Sequence, residues 1–174
     1  MSWRDLLAYW QSKHVGDIPP ARADIDPISE IPKIVRSLML IDCLADGYRY
    51  RLIGSELAAR IGRDVTGRMA AQGGSFDPGL AQSWLGALDI AVRMKEPQLL
   101  RSELEGGGSV LTLLLPLVSS HGTTEMLIGG CFPEGATEGF WRPLSLERID
   151  LGNPGDPAPF NDHGQGASVV HLRR

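Results

Sequence analysis

Arg49 and Arg51 stand two apart in the run YRYRLIG at residues 48–54, a spacing that sets both guanidinium groups on one face of a β-strand. Two such planar forks are fitted to a carboxylate, whether on a ligand or on an acidic partner. The favoured and simpler use is an ion pair with Asp24 or Asp26 that clasps the N-terminal segment onto the sheet. Asp24 and Asp26 themselves lie in a proline-rich stretch, where turn bonding and helix capping account for aspartate. As a general acid and base they would need converging geometry that spacing alone does not supply.

The same run ends at Gly54 and enters a helix-like segment, the layout of a phosphate loop. A dinucleotide loop needs Gly-x-Gly-x-x-Gly and a P-loop needs a lysine after its last glycine. Glycines 54, 62 and 67 are spaced by eight and five, with no lysine following. They read as turn and cap residues. The chain also lacks Gly-x-Ser-x-Gly, His-Glu-x-x-His and Cys-x-x-Cys, so neither an enzyme nor a metal site is expected. Cys43 and Cys131 each lie in an apolar run and read as small buried side chains.

A formal net charge of −4 with sparse lysine gives no electrostatic footprint for nucleic acid. The N-terminus MSWRDLLAYW carries charges within its apolar pattern and lacks a signal-peptide core, and the apolar run Val110 to Val118 is too short for a membrane span. These features predict a cytoplasmic protein without membrane attachment.

The elements that would position these residues follow from periodicity. Ser2 and Asp5 form a capping pair for a helix whose Trp3, Leu6, Leu7 and Trp10 share one face. That face needs a cover, either the domain's own sheet or a second subunit, which makes these four residues the candidate homodimer interface. A proline-rich cap segment closes residues 1–36. Two strands, 37–44 and 48–53, join at Asp46-Gly47, with Tyr48, Tyr50 and Leu52 predicted on one face and Arg49, Arg51 and Ile53 on the other. Ser55 to Ile61 reads as a short helix closed by Gly62. Asp77-Pro78 opens a stronger helix with Leu80, Trp84, Leu88 and Ala91 in its apolar stripe, and Pro97 stops it. Three strands follow, at 98–104, 109–118 and 125–132, the middle one apolar on both faces and therefore central.

From residue 133 to 174 the composition turns to glycine and proline, as in GNPGDPAPFNDHGQG, and reads as an extension. Two islands in it, FWRPLSLERIDL and SVVHLRR, are free to dock on the domain, on a partner or on nothing. Strands separated by one helical block predict an α+β domain, a five-stranded antiparallel sheet over residues 37–132 with helices on one face and an added N-terminal helix.

The words WQSKHVGDIPPARADIDPISEIPK, YRYRLIGSELAARIGRDVTG and LLLPLVSSHG, in that order, resemble a family of small bacterial PAS-like domains over residues 1 to about 132. Pro20, Arg22, Asp24 and Pro27 match its Pro-x-Arg-x-Asp-x-x-Pro word, while Arg51, Gly54, Thr66 and Gly67 match the strand and post-helix positions. The resemblance implies a non-enzymatic sensory or signalling adaptor, homodimeric, that relays to an unidentified signalling protein. A ligand-free interaction module acting through the N-terminal helix and C-terminal tail is the alternative. A ligand pocket between sheet and helices would draw on Met39, Leu52, Leu57, Trp84, Leu88 and Met126, with Arg51 as a polar candidate. No cofactor is expected: the Asn-Cys-Arg-Phe-Leu-Gln word of flavin photoreceptors is missing, and His14, His121, His163 and His171 all fall outside the helical block 55–95 where haem would find its ligand.

Overall fold

A computed structural model describes residues 2–72, 78–137 and 139–151. Helix α1 (Trp3–Ser12) starts where Asp5 Oδ2 accepts a hydrogen bond from the Ser2 backbone N–H at 2.6 Å. Helix α2 (Pro27–Glu30) follows the proline segment, and the Asp26 carboxylate caps it by accepting from Ser29 N. Tyr9 of α1 ties the two together: its hydroxyl donates to Glu30 at 2.6 Å and accepts from Asp26 N at 2.9 Å.

Strands β1 (Leu38–Leu44) and β2 (Gly47–Ile53) form the predicted hairpin, and α3 (Ser55–Ile61) and α4 (Pro78–Met94) follow. The Asp77 start signal of α4 lies outside the described residues. Strands β3 (Gln98–Glu103), β4 (Ser109–Val118) and β5 (Thr124–Glu134) complete the expected five, and β6 (Glu147–Ile149) adds a sixth. The antiparallel order is β2-β1-β5-β4-β3-β6. All ten residues of β4 are buried, as its apolar faces predict.

The sixth strand comes from the FWRPLSLERIDL island, which docks on the domain itself. Leu99 faces Ile149 in the ladder, while Trp141, Leu146 and Ile149 are buried. The stretch GNPGDPAPFNDHGQG and the terminal SVVHLRR lie outside the described residues. Among the described residues no helix is long and apolar enough to cross a membrane.

The sheet carries an apolar core on each face. On one side α3 and α4 cover Met39, Ile41, Tyr50, Leu100, Leu114 and Leu127. On the other, α1 and the segment after it cover Leu38, Leu99, Leu113, Leu115, Leu117 and Ile128. Trp3, Leu6 and Trp10 are buried in this second core and Leu7 is half-buried, so the cover for their stripe is the domain's own sheet. The Trp10 indole N–H donates to the Pro116 carbonyl of β4 at 2.8 Å, fastening the helix to the central strand. Gly130 of β5 permits the close approach, since a Cβ there would stand 3.1 Å from a Leu6 methyl.

One irregularity alters the faces of β2. Leu40 pairs with Leu52 and Ile41 with Tyr50, so Arg51 is an extra residue in the ladder, a β-bulge. Past the bulge the alternation inverts. Tyr48, Tyr50 and Ile53 therefore face α3 and α4, whereas the unbroken period of two had put Leu52 with the tyrosines and Ile53 with the arginines.

Candidate functional site

A cavity of about 40 Å³ lies between the sheet and its helical cover. Its floor comes from the β1–β2 hairpin, through Met39, Tyr50 and Ile53. Leu57 and Ile61 of α3, Val65 of the following turn and Trp84 of α4 make the helical wall. Ser102, Val110, Thr112 and Cys131 close the strand side, and Trp141 with Pro143 covers the remaining flank. A void of this size holds a few waters or a few heavy atoms.

Polar groups in this apolar setting are few and placed. The Trp84 indole N–H donates to the Tyr50 hydroxyl at 2.9 Å, which leaves the phenolic proton for another acceptor. Thr112 and Cys131 are cross-strand partners, and hydroxyl and thiol share a hydrogen bond at 3.4 Å. Burial pushes the Cys131 thiol up to about 11 and raises the Tyr50 phenol above its ordinary value. Both groups are neutral at physiological pH. Among the described residues, no Asp, Glu, Lys, Arg or His lines the cavity.

The flank at Trp141 and Pro143 is a strap built on one arginine. Arg60, near the end of α3, donates to the carbonyls of Thr137 and Gly139 at 3.1 Å each, and its own carbonyl accepts from Trp141 N at 2.8 Å. Its guanidinium carbon lies 5.7 Å from the centre of the Trp141 ring. Beyond, Glu105 N donates to Arg142 O and Leu144 N to Glu103 O, so the strap runs from α3 to the β3–β4 hairpin before entering β6. Phe140 and Leu144 on either side of Trp141 point outward and are exposed.

Of the pocket residues expected from sequence, Met39, Leu57 and Trp84 line the cavity. Leu88 is buried in the same core without lining it. Leu52 is turned away by the bulge, and Met126 belongs to the core under α1, because in β5 it is Leu127 that faces the helices. The lining residues not anticipated include Ser102, Thr112 and Cys131. A signal was present for Thr112, which interrupts the larger apolar side chains of β4 and stands directly opposite Cys131.

Arg51 stands apart from the cavity, in an open surface cleft lined also by Arg22, Asp42, Glu125 and Met126. The expected clasp to Asp24 or Asp26 is corrected here: the carboxylate between the arginines is the buried Asp42 of β1. One of its oxygens accepts from Arg49 at 2.9 and 3.3 Å, and the other lies 3.6 Å from Arg51. Asp42 and Arg49 are opposite one another in the ladder, so β-pairing dictates the partner. Asp26 is spent on capping α2, and Arg22 donates to the Ile25 carbonyl.

The remaining motif residues fasten segments to the sheet. The Pro20 carbonyl accepts from Val118 N of β4, Asp24 N donates to Ala21 O, and Pro27 begins α2. Thr66 N donates to Asp64 and Gly67 N to the Tyr50 carbonyl, which lays the post-helix turn along the edge of β2. Gly54 is a steric requirement. A Cβ there would lie 2.3 Å from the Arg36 carbonyl oxygen, and its N–H donates to Leu38 O at 2.8 Å.

Against known proteins, the family model described as PAS domain matches residues 1–132. No curated protein matches significantly. Among 32 solved chains that do, VqmA bound to DPO shares 14% identity at a TM-score of 0.50, over 63% of this chain and 57% of that one. This chain thus spans little more than half the length of that protein. A light-oxygen-voltage domain described with a flavin analogue shares 13% identity at 0.46, over 64% of this chain and 87% of its own. An RNA-binding light-oxygen-voltage receptor shares 18% at 0.41, over 68% and 36%. At these identities the likeness is one of fold. The expectation of no cofactor is corrected by these matches, which include light-oxygen-voltage domains, one of them described with a flavin analogue.

Proposed function

The chain belongs to the PAS domain family, and from that premise we propose that it is a non-enzymatic sensory module whose input is a small molecule held in the cavity between the sheet and helices α3 and α4. The observation that carries this reading is the contrast of packing within one domain. A void with hydroxyls and a thiol at its wall persists on the helical face, where a close-packed apolar core would leave room for neither. The lining supports binding over catalysis, since its thiol and phenol are held protonated and no charged acid–base partner stands among its described residues.

The output is by contact, through the strap that walls the cavity and exposes Phe140 and Leu144. The buried tryptophans of α1 favour this reading over the ligand-free alternative acting through the N-terminal helix and C-terminal tail. Native mass spectrometry of freshly purified protein, alongside tryptophan fluorescence during a small-molecule screen, tests the reading. A retained or screened molecule that changes the Trp84 or Trp141 signal is expected. A bare chain mass with no fluorescence response across the screen sinks it.

A further inference from the structure

Resting on that reading, we propose the chemical class of the input: an uncharged, largely apolar molecule carrying a hydrogen-bond acceptor such as a carbonyl or hydroxyl oxygen, admitted when Trp141 swings out of the cavity wall. The first part follows from what the wall offers. With no charged side chain among the described lining residues, an ionic ligand would be buried there without a counter-charge, whereas a neutral one loses little on entry. The Tyr50 hydroxyl already accepts from Trp84 and so turns its proton to a ligand acceptor, with the Ser102 hydroxyl on the same wall. The rest of the surface is aliphatic and aromatic, so the body of the ligand is apolar.

The second part follows from size. About 40 Å³ is too little for a ring, given that an apolar cavity of roughly 150 Å³ is what admits benzene. The largest side chain that can leave without unpicking a strand or helix is Trp141, which sits on the strap. Strap and α3 are joined through Arg60, and truncating its side chain deletes two hydrogen bonds to the strap while leaving the backbone bond from Trp141 N and the residues of the cavity lining in place. Ligand entry and strap release are therefore one event, and the strap leads directly into β6.

Benzyl alcohol, benzoate and benzylammonium are matched probes differing in charge. Each is titrated into the wild-type protein, Trp141→Ala and Arg60→Ala, reading the ¹H–¹⁵N resonance of the Trp84 indole, which lines the cavity and is not part of the strap. The alcohol is expected to shift it, binding both variants about tenfold more tightly than wild type, as a plug that opens only part of the time requires. Benzoate and benzylammonium should bind roughly a hundredfold more weakly than the alcohol. Arg60→Ala keeps the test standing if Trp141→Ala does not fold. Charged probes that shift the resonance as strongly as the alcohol overturn the ligand class while cavity sensing survives. Equal affinity of the alcohol for all three proteins overturns the plug. No shift with any probe in folded variants removes both this inference and the proposed sensing function.

Discussion

The two faces of one sheet are built to different tolerances. Under α1, Leu6, Leu113, Leu115, Leu117 and Ile128 have no solvent exposure, and the Trp10 indole N–H is satisfied on the Pro116 carbonyl. Under α3 and α4 the same central strands present Thr112 and Cys131 to a void. The difference is one of local packing: the helical face also buries Ile41, Leu88, Leu114 and Leu127 completely, yet keeps a space beside them. In a domain that is marginally stable overall, a cavity of this kind persists only when packing elsewhere compensates.

The comparison breaks first at Trp10. Trp10→Ala removes a buried indole and strands the Pro116 carbonyl, and should cost about 3–5 kcal/mol in a urea titration; a loss below about 1 kcal/mol would show that α1 does not bear the load. Next comes Gly54→Ala, whose methyl meets the Arg36 carbonyl, with an expected loss of about 1–3 kcal/mol and a lower melting temperature. Wild-type stability after that change would reject the steric reading of this glycine.

A smaller effect sharpens the cavity side. Cys131 has its pKa raised from about 9 to about 11, so the folded chain holds a proton that the unfolded chain releases as pH climbs through that window. Stability is fully kept below about pH 9 and falls towards pH 11. Cys131→Ala should flatten that fall by on the order of 1 kcal/mol, seen as urea midpoints compared at pH 8 and 10.5. An unchanged slope would place the thiol in water.

Ser102→Ala, on the cavity wall, should change stability by less than about 1 kcal/mol while weakening the benzyl alcohol response several-fold. A large stability loss would make this face as closely packed as the other. Smallest is Arg51→Ala, which removes an exposed partner at 3.6 Å and should stay within about 0.5 kcal/mol, against about 1–2 for Arg49→Ala, which uncovers the buried Asp42. Equal losses would mean that both arginines hold the aspartate.

Much of the fold was legible because its signals are local. Ser2 and Asp5, Asp46-Gly47, the Trp84–Leu88–Ala91 stripe and the two apolar faces of β4 each announce one element within a few residues. The site was legible only at Met39, Leu57 and Trp84. Leu52 was misplaced because the bulge at Arg51 inverts the alternation of β2, and Met126 because both faces of β5 are apolar, so that residue type carries no sign of which core it enters. Ile149 could be read as part of an island, but its strand needed the free edge of β3, some fifty residues earlier, to exist.

The sequence by itself determined the family, the order of elements and the two-sided burial of the central strand, since these depend on residue type and short-range period. Only tertiary structure decided that Arg51 is a bulge and Asp42 its neighbour, that Trp141 lines the cavity, and that Thr112 meets Cys131. Each of these is a relation between segments distant along the chain, fixed by register and by how far the packing of one layer lets another approach.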